Sequence, residues 1–158
     1  SFSEMEENKK SFEDVKEKAL RLLEYRSHSA KELTDKLKRF GADEEDIERT
    51  VEFCTEYNFL NDEKYAYALA HDLANLKKLG KRRIYAELRQ KGISEEIARE
   101  VLEDFTDDED TLLSLVEKKA QGNFERKNRD KIIRYFMYRG YELTDIKNAL
   151  ERLMTDEF

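Results

Sequence analysis

Three glycines, Gly41, Gly92 and Gly140, stand 51 and 48 residues apart, and each closes a run that starts apolar and ends in charge. The runs are LTDKLKRF, IYAELRQK and IIRYFMYR. The same local pattern at near-regular spacing marks a repeated supersecondary unit and leaves few folds open to the chain. A glycine ending an amphipathic run reads as a helix C-cap, because the left-handed backbone needed there suits a residue without Cβ. After each glycine a new run begins at similar offsets: Ile47, Val51 and Cys54; Ile97, Val101 and Phe105; Ile146, Leu150 and Leu153. Steps of three and four put each set on one helix face.

Two further runs precede each glycine. Phe12, Val15, Ala19 and Leu22 lead to Leu33, Leu37 and Phe40. Tyr65, Leu69, Leu73 and Leu76 lead to Ile84 and Leu88, and Leu112, Leu115 and Val116 lead to Ile132, Tyr135 and Phe136. Start signals agree: Ser29 with Glu32 and Thr106 with Glu109 read as capping boxes, and Asp43, Ser94 and the Asn61–Asp62 pair as N-caps. Glu142 holds the corresponding place in the third unit and is a poorer cap.

The pattern predicts an all-α chain of three tandem three-helix repeats, 12–60, 61–105 and 106–154, forming an elongated, curved array behind a disordered acidic segment, 1–11. Composition supports it. Among 158 residues there is no proline, the commonest helix breaker, and only five glycines. Charged residues make up 42% and hydrophobic residues 39%, enough apolar surface for thin layers between stacked helices.

The single cysteine, Cys54, leaves no internal disulfide and fits a reducing compartment. No stretch approaches the ~20 apolar residues of a membrane span, and SFSEMEENKK lacks the apolar core of a secretory signal. A soluble, cytoplasmic protein is expected. Catalysis finds no support. His28, His71 and Cys54 have no ligand spacing, Cys54 falls on an apolar face, and no glycine-rich phosphate loop is present. No cofactor or metal is expected. The acids Asp107, Asp108, Glu109 and Asp110 are explained by the dipole of the helix they open.

A net charge of −7 argues against a protein that coats naked nucleic acid. The charge is uneven, however: residues 1–58 carry 16 acidic and 11 basic side chains, whereas residues 59–106 balance at nine each. Between Asp72 and Glu87 the chain holds Lys77, Lys78, Lys81, Arg82 and Arg83 and no acid, and Arg89 and Lys91 extend the run. Such a corner suits phosphates or acidic side chains of a partner, with a solvated helix end as the plain alternative. A second cluster comprises Arg126, Lys127, Arg129, Lys131, Arg134 and Arg139, part of it serving solubility. Of the interleaved Tyr135, Tyr138 and Tyr141, two are expected to pack between helices, although tyrosines so placed can also stack on bases. Phe59, Leu60 and Tyr65 read as packing at the joint between units.

The segments FLNDEKYA (Phe59 to Ala66), LGKRRIYAELRQKGIS (Leu79 to Ser94) and SAKELTDKLKRFG (Ser29 to Gly41) resemble the RecX family of recombination regulators. The resemblance covers residues 12–153. One departure is Lys81, where the family often has a proline. The resemblance implies a cytoplasmic, monomeric protein, not an enzyme, that lies in the groove of the RecA filament on single-stranded DNA. It would damp ATP hydrolysis, strand exchange and co-protease activity, with the basic corner approaching DNA or acidic RecA side chains and with weak affinity for single-stranded DNA alone. A helical-repeat adaptor for another protein, or a weak DNA-binding protein, are the alternative readings of the residues.

Overall fold

The computed structural model describes residues 10–156. Among the described residues there are nine helices and no strand: α1 (Phe12–Tyr25), α2 (Ala30–Phe40), α3 (Glu44–Glu56), α4 (Asp62–Asn75), α5 (Lys81–Gln90), α6 (Glu95–Glu103), α7 (Glu109–Ala120), α8 (Arg126–Tyr138) and α9 (Leu143–Asp156). The expected disordered segment falls, up to residue 9, outside the described residues. Ser11 belongs instead to the fold: its hydroxyl accepts from the Asp14 N–H, and the Asp14 carboxylate accepts from the Ser11 N–H, both at 3.1 Å.

Contacts divide the chain into two compact units. The first takes the chain up to Ala68 together with Arg89–Ile97, and the second takes Leu69–Leu88 and the chain from Ala98 onward. In the first unit, α1, α2 and α3 close on Val15, Ala19, Leu33, Leu37, Ile47, Cys54 and Leu60. In the second, α7, α8 and α9 close on Leu112, Val116, Ala120, Ile132, Phe136, Tyr141, Ile146, Ala149 and Leu150. Most of these are the three-and-four-spaced positions of the sequence; Leu60, Ala120, Tyr141 and Ala149 join them, while Leu22, Leu115 and Leu153 pack at the edge, partly buried. Each fully buried Leu or Ile among them contributes about 1.5–3 kcal/mol of apolar transfer. Cys54 is fully buried, and burial pushes its thiol pKa up, as for a packing residue.

Each unit contains one joint where the start of a second helix meets the glycine cap of the next repeat, and the two joints share a plan. In the first unit, Ser29 and Glu32 form the expected capping box on α2. The Asp62 carboxylate accepts from the Ala30 N–H at 2.8 Å, and the Ser29 hydroxyl donates to the Lys91 carbonyl at 2.6 Å. In the second unit, the Asp107 carboxylate accepts from the Lys81 N–H at 2.9 Å. The Gly80 N–H donates to the Arg139 carbonyl at 2.8 Å, and the Arg82 N–H to the Gly140 carbonyl at 3.2 Å. An aspartate from the following first helix, or from just before it, thus satisfies an orphan amide at the start of the preceding second helix.

Several local expectations are corrected. Asn61, not Asp62, caps α4, accepting from the Lys64 N–H at 3.1 Å, because the Asp62 carboxylate is drawn to α2. Asp107 likewise serves α5 rather than its own helix. The cap of α7 is Asp108, which accepts from the Asp110 N–H and the Thr111 hydroxyl; the Thr106–Glu109 box does not form because the helix starts two residues later than that box requires. Asp43 occupies the cap position of α3 without a side-chain cap bond, whereas Ser94 accepts from the Ile97 N–H at 3.2 Å. Leu76 lies beyond the end of α4 and is 77% exposed, so it has left the apolar face that its spacing implied. Phe59 is exposed, and Leu60 alone of that pair enters the core.

Candidate protein and nucleic-acid interface

The predicted basic residues separate by what holds them. Lys77, Lys78, Lys81, Arg82 and Arg83 belong to the second unit, whereas Arg89 and Lys91 belong to the first. In the first unit, Arg89 donates to the Ile93 carbonyl at 2.9 Å, and the Lys91 ammonium lies 3.6 Å from the Glu32 carboxylate. Burial opposes ionisation of Glu32. The Tyr65 hydroxyl, the Ser29 N–H and Arg26 outweigh it and hold the pKa down to about 2. Both cations therefore serve a local anchoring network. Tyr65 faces Glu32, and that contact gives this signature residue its place.

In the second unit, Arg82 and Arg83 grip the end of α8. Arg82 donates to the Met137 carbonyl at 3.1 Å, which also accepts from the Gly140 N–H at 3.0 Å, and Arg83 donates to the Tyr138 carbonyl, left open by the last helical turn, at 3.2 Å. Arg83 also pairs with Glu87 at 2.9 Å and lies over the Tyr138 ring at 4.9 Å. Lys77, Lys78 and the Lys81 side chain remain exposed.

The secondary cluster divides similarly. Arg126 and Lys127 open α8 on its solvent side. Lys127, Lys131 and Arg134, at steps of four and three, form one exposed stripe. Arg129 is half-buried with its Nη1 4.0 Å from the Met154 sulfur. Arg139 turns away from that stripe and donates to the Lys77 carbonyl, tying the end of α8 to the α4–α5 connection.

That tie shapes a groove of about 500 Å³ bordered by Lys77, Lys78, Lys118, Lys119 and Arg139 with Leu115, Gln121, Tyr135 and Phe136. Five cations and no carboxylate line it among the described residues. Lys119 lies 4.1 Å from the Tyr135 ring centroid and Arg139 5.7 Å. The Lys78 rim is braced by Tyr141, whose hydroxyl donates to the Lys78 carbonyl at 2.7 Å; burial, then the nearby Asp107 charge, push its pKa up to about 12. Of the three tyrosines only Tyr141 is buried, against the expectation of two. Tyr135 is 40% and Tyr138 74% exposed. The α8 core positions are Ile132 and Phe136, four apart, and Tyr135 is rotated about 100° from Phe136 toward the lysines.

Sequence reasoning missed Lys118 and Lys119. They follow Glu117 in a short run and look like ordinary dipole partners of a helix C-terminus. No group of His, Cys, Asp and Glu among the described residues is arranged to hold a metal ion, and no helix among them is long and apolar enough to cross a membrane.

The class defined so far is an all-helical repeat protein carrying a basic face on its second unit. The comparisons agree and sharpen it. Residues 61–102 match the description "RecX, second three-helix domain" and residues 16–54 "RecX, first three-helix domain". Regulatory protein RecX of Clostridium perfringens (strain 13 / Type A) is 36% identical over 154 residues, covering 93% of this chain and 72% of that protein. Regulatory protein RecX of Vibrio parahaemolyticus is 37% identical over 138 residues, covering 85% of this chain and 88% of that one. The crystal structure of RecX from Lactobacillus salivarius superposes with a TM-score of 0.81 at 25% identity, covering 91% of this chain and 97% of that chain. The chain belongs to the RecX family of regulatory proteins.

Proposed function

We propose that this chain regulates RecA. It binds the RecA filament on single-stranded DNA, along the filament groove, as a cytoplasmic monomer without catalysis of its own, and restrains ATP hydrolysis, strand exchange and co-protease activity. Family membership supports the regulatory role. The observation that carries the contact is the concentration of exposed cations on one unit of a chain whose net charge is −7. A local positive face on an acidic protein discourages coating of bare DNA and still engages an acidic or phosphate surface at close range.

The test is the rate of ATP hydrolysis by purified RecA on single-stranded DNA, measured while this protein is titrated in. The rate is expected to fall at substoichiometric to equal ratios. An unchanged rate at saturating protein overturns the reading. Charge reversal of Arg82 or Arg83 would also release the carbonyls of α8, so the informative variant is Lys77→Glu with Lys81→Glu, whose side chains are exposed. It is expected to weaken inhibition severalfold with an unchanged melting temperature.

A further inference from the structure

The groove beside Tyr135 has features that neither solubility nor helix-dipole complementation explains. Lys118 and Lys119 end α7, where cations are favourable whatever their use. An aromatic ring left 40% exposed between a lysine and an arginine is not required by that arrangement. Three non-glycine residues among those described have positive φ, and two of them, Lys78 at +55° just past the end of α4 and Gln121 at +49° as the left-handed C-cap of α7, line this groove. A lysine and a glutamine thus end these two helices where glycine or asparagine is the usual choice, which sets both side chains at the groove edge. The third, Asn58, is a residue type that tolerates this conformation.

We propose that this groove binds a nucleotide unit, with the base stacked on Tyr135 and the phosphate held by Lys77, Lys118 and Lys119. Cations supply the counter-charge for phosphate, and a π-face flanked by cations accepts any base without reading its edge. The Arg139 tie to Lys77 and the Tyr141 bond to Lys78 hold the rim in position before a ligand arrives, which lowers the ordering cost of binding. An acidic peptide would be served by the lysines but would leave the ring unused. The proposal deepens the RecA reading by naming what the basic face touches within a nucleoprotein filament, and in that sense rests on it. The experiment below contains no RecA, so the two can fail separately.

Binding is measured with two probes on the full chain at low salt: a fluorescein-labelled oligothymidylate carrying one 2-aminopurine, and free ATP by calorimetry. Binding of the oligonucleotide with 2-aminopurine quenching assigns the groove to a strand, and binding of ATP alone assigns it to a free nucleotide. Either supports the proposal provided the variants respond. Lys118→Gln with Lys119→Gln is expected to weaken binding about tenfold, and Tyr135→Leu at least about fivefold with loss of quenching. Both should keep the helical circular-dichroism signal, since all three side chains are exposed. If Lys118→Gln with Lys119→Gln lowers the melting temperature, Lys77→Gln, beyond the end of α4, gives the same reading. Failure of both probes to bind, binding unaffected by these variants, or displacement by polyglutamate at the same charge concentration would each overturn it.

Discussion

Glu32 shows how much one side chain can organise. It completes the capping box of α2, pairs with Arg26 at 3.3 Å and lies near Lys91 and Tyr65 with only 15% of its side chain exposed. Its pKa is held at about 2 against an ordinary value of 4.5. A carboxylate with a depressed folded-state pKa stabilises the fold above the ordinary value and loses that contribution as pH falls from 4.5 toward 2, here on the order of 1–2 kcal/mol after allowing for screening. Neighbouring Asp62 runs the other way: burial raises its pKa, so its protonation on acidification is favourable. Glu32→Gln is therefore expected to lower the melting temperature at pH 7 and to flatten its decline between about pH 4.5 and 2. Parallel acid-side slopes in melting curves of the two proteins would contradict this. The Ser29–Glu32 box was readable from four consecutive residues. The reach of Glu32 to Lys91 was not, because those residues meet only when the joint forms.

At the scale of elements, the repeating glycines play unequal parts. Gly41 has φ +98° with nothing within 4 Å of a Cβ built there, so alanine would cost only the left-handed strain, about 1–2 kcal/mol. Gly140 has φ +102°, and its Cβ would fall 2.4 Å from the Arg83 backbone nitrogen and 2.7 Å from the Gly80 carbonyl oxygen. Backbone cannot step aside as a side chain does, so Gly140→Ala is expected to cost roughly 2–5 kcal/mol by adding steric displacement to the same strain. Urea unfolding of the two variants measures the difference, and equal losses would refute it. In sequence the two positions are equivalent caps at the ends of similar runs. Only the approach of α5 makes one of them a packing contact. For the same reason Asp62 looked like a cap, and Asp107 like a dipole partner, of its own helix: helix starts are legible locally, and the amide a carboxylate finally serves depends on which helix lies across from it.

At the scale of the whole molecule, a net charge of −7 opposes long-range attraction to nucleic acid, so binding must come from short-range contacts with a small number of cations. With five cations around the groove, the logarithm of single-strand affinity is expected to fall against the logarithm of salt concentration with a slope no steeper than about −3.5. Fluorescence anisotropy across a salt series gives that slope, and a much steeper one would require a larger basic surface than this groove. The melting temperature should change little over the same series, since the cores of both units are apolar. Lys77 and Arg139 come from the two separate basic clusters of the sequence and border one groove. They contribute jointly because Arg139 binds the Lys77 carbonyl, a contact across 62 residues that no periodicity reports.

Helix type, helix number, the three glycine caps and most of the core were determined by sequence, because each depends on apolar spacing and capping chemistry within a few neighbouring residues. Which cations are spent on structure and which stay exposed was decided by tertiary packing. Arg82, Arg83, Arg89 and Lys91 met carbonyls or carboxylates that folding brought to them, whereas Lys77, Lys118 and Lys119 were gathered around an open ring. Charge on a chain is a local property, but the partner that neutralises it is set by distance in space.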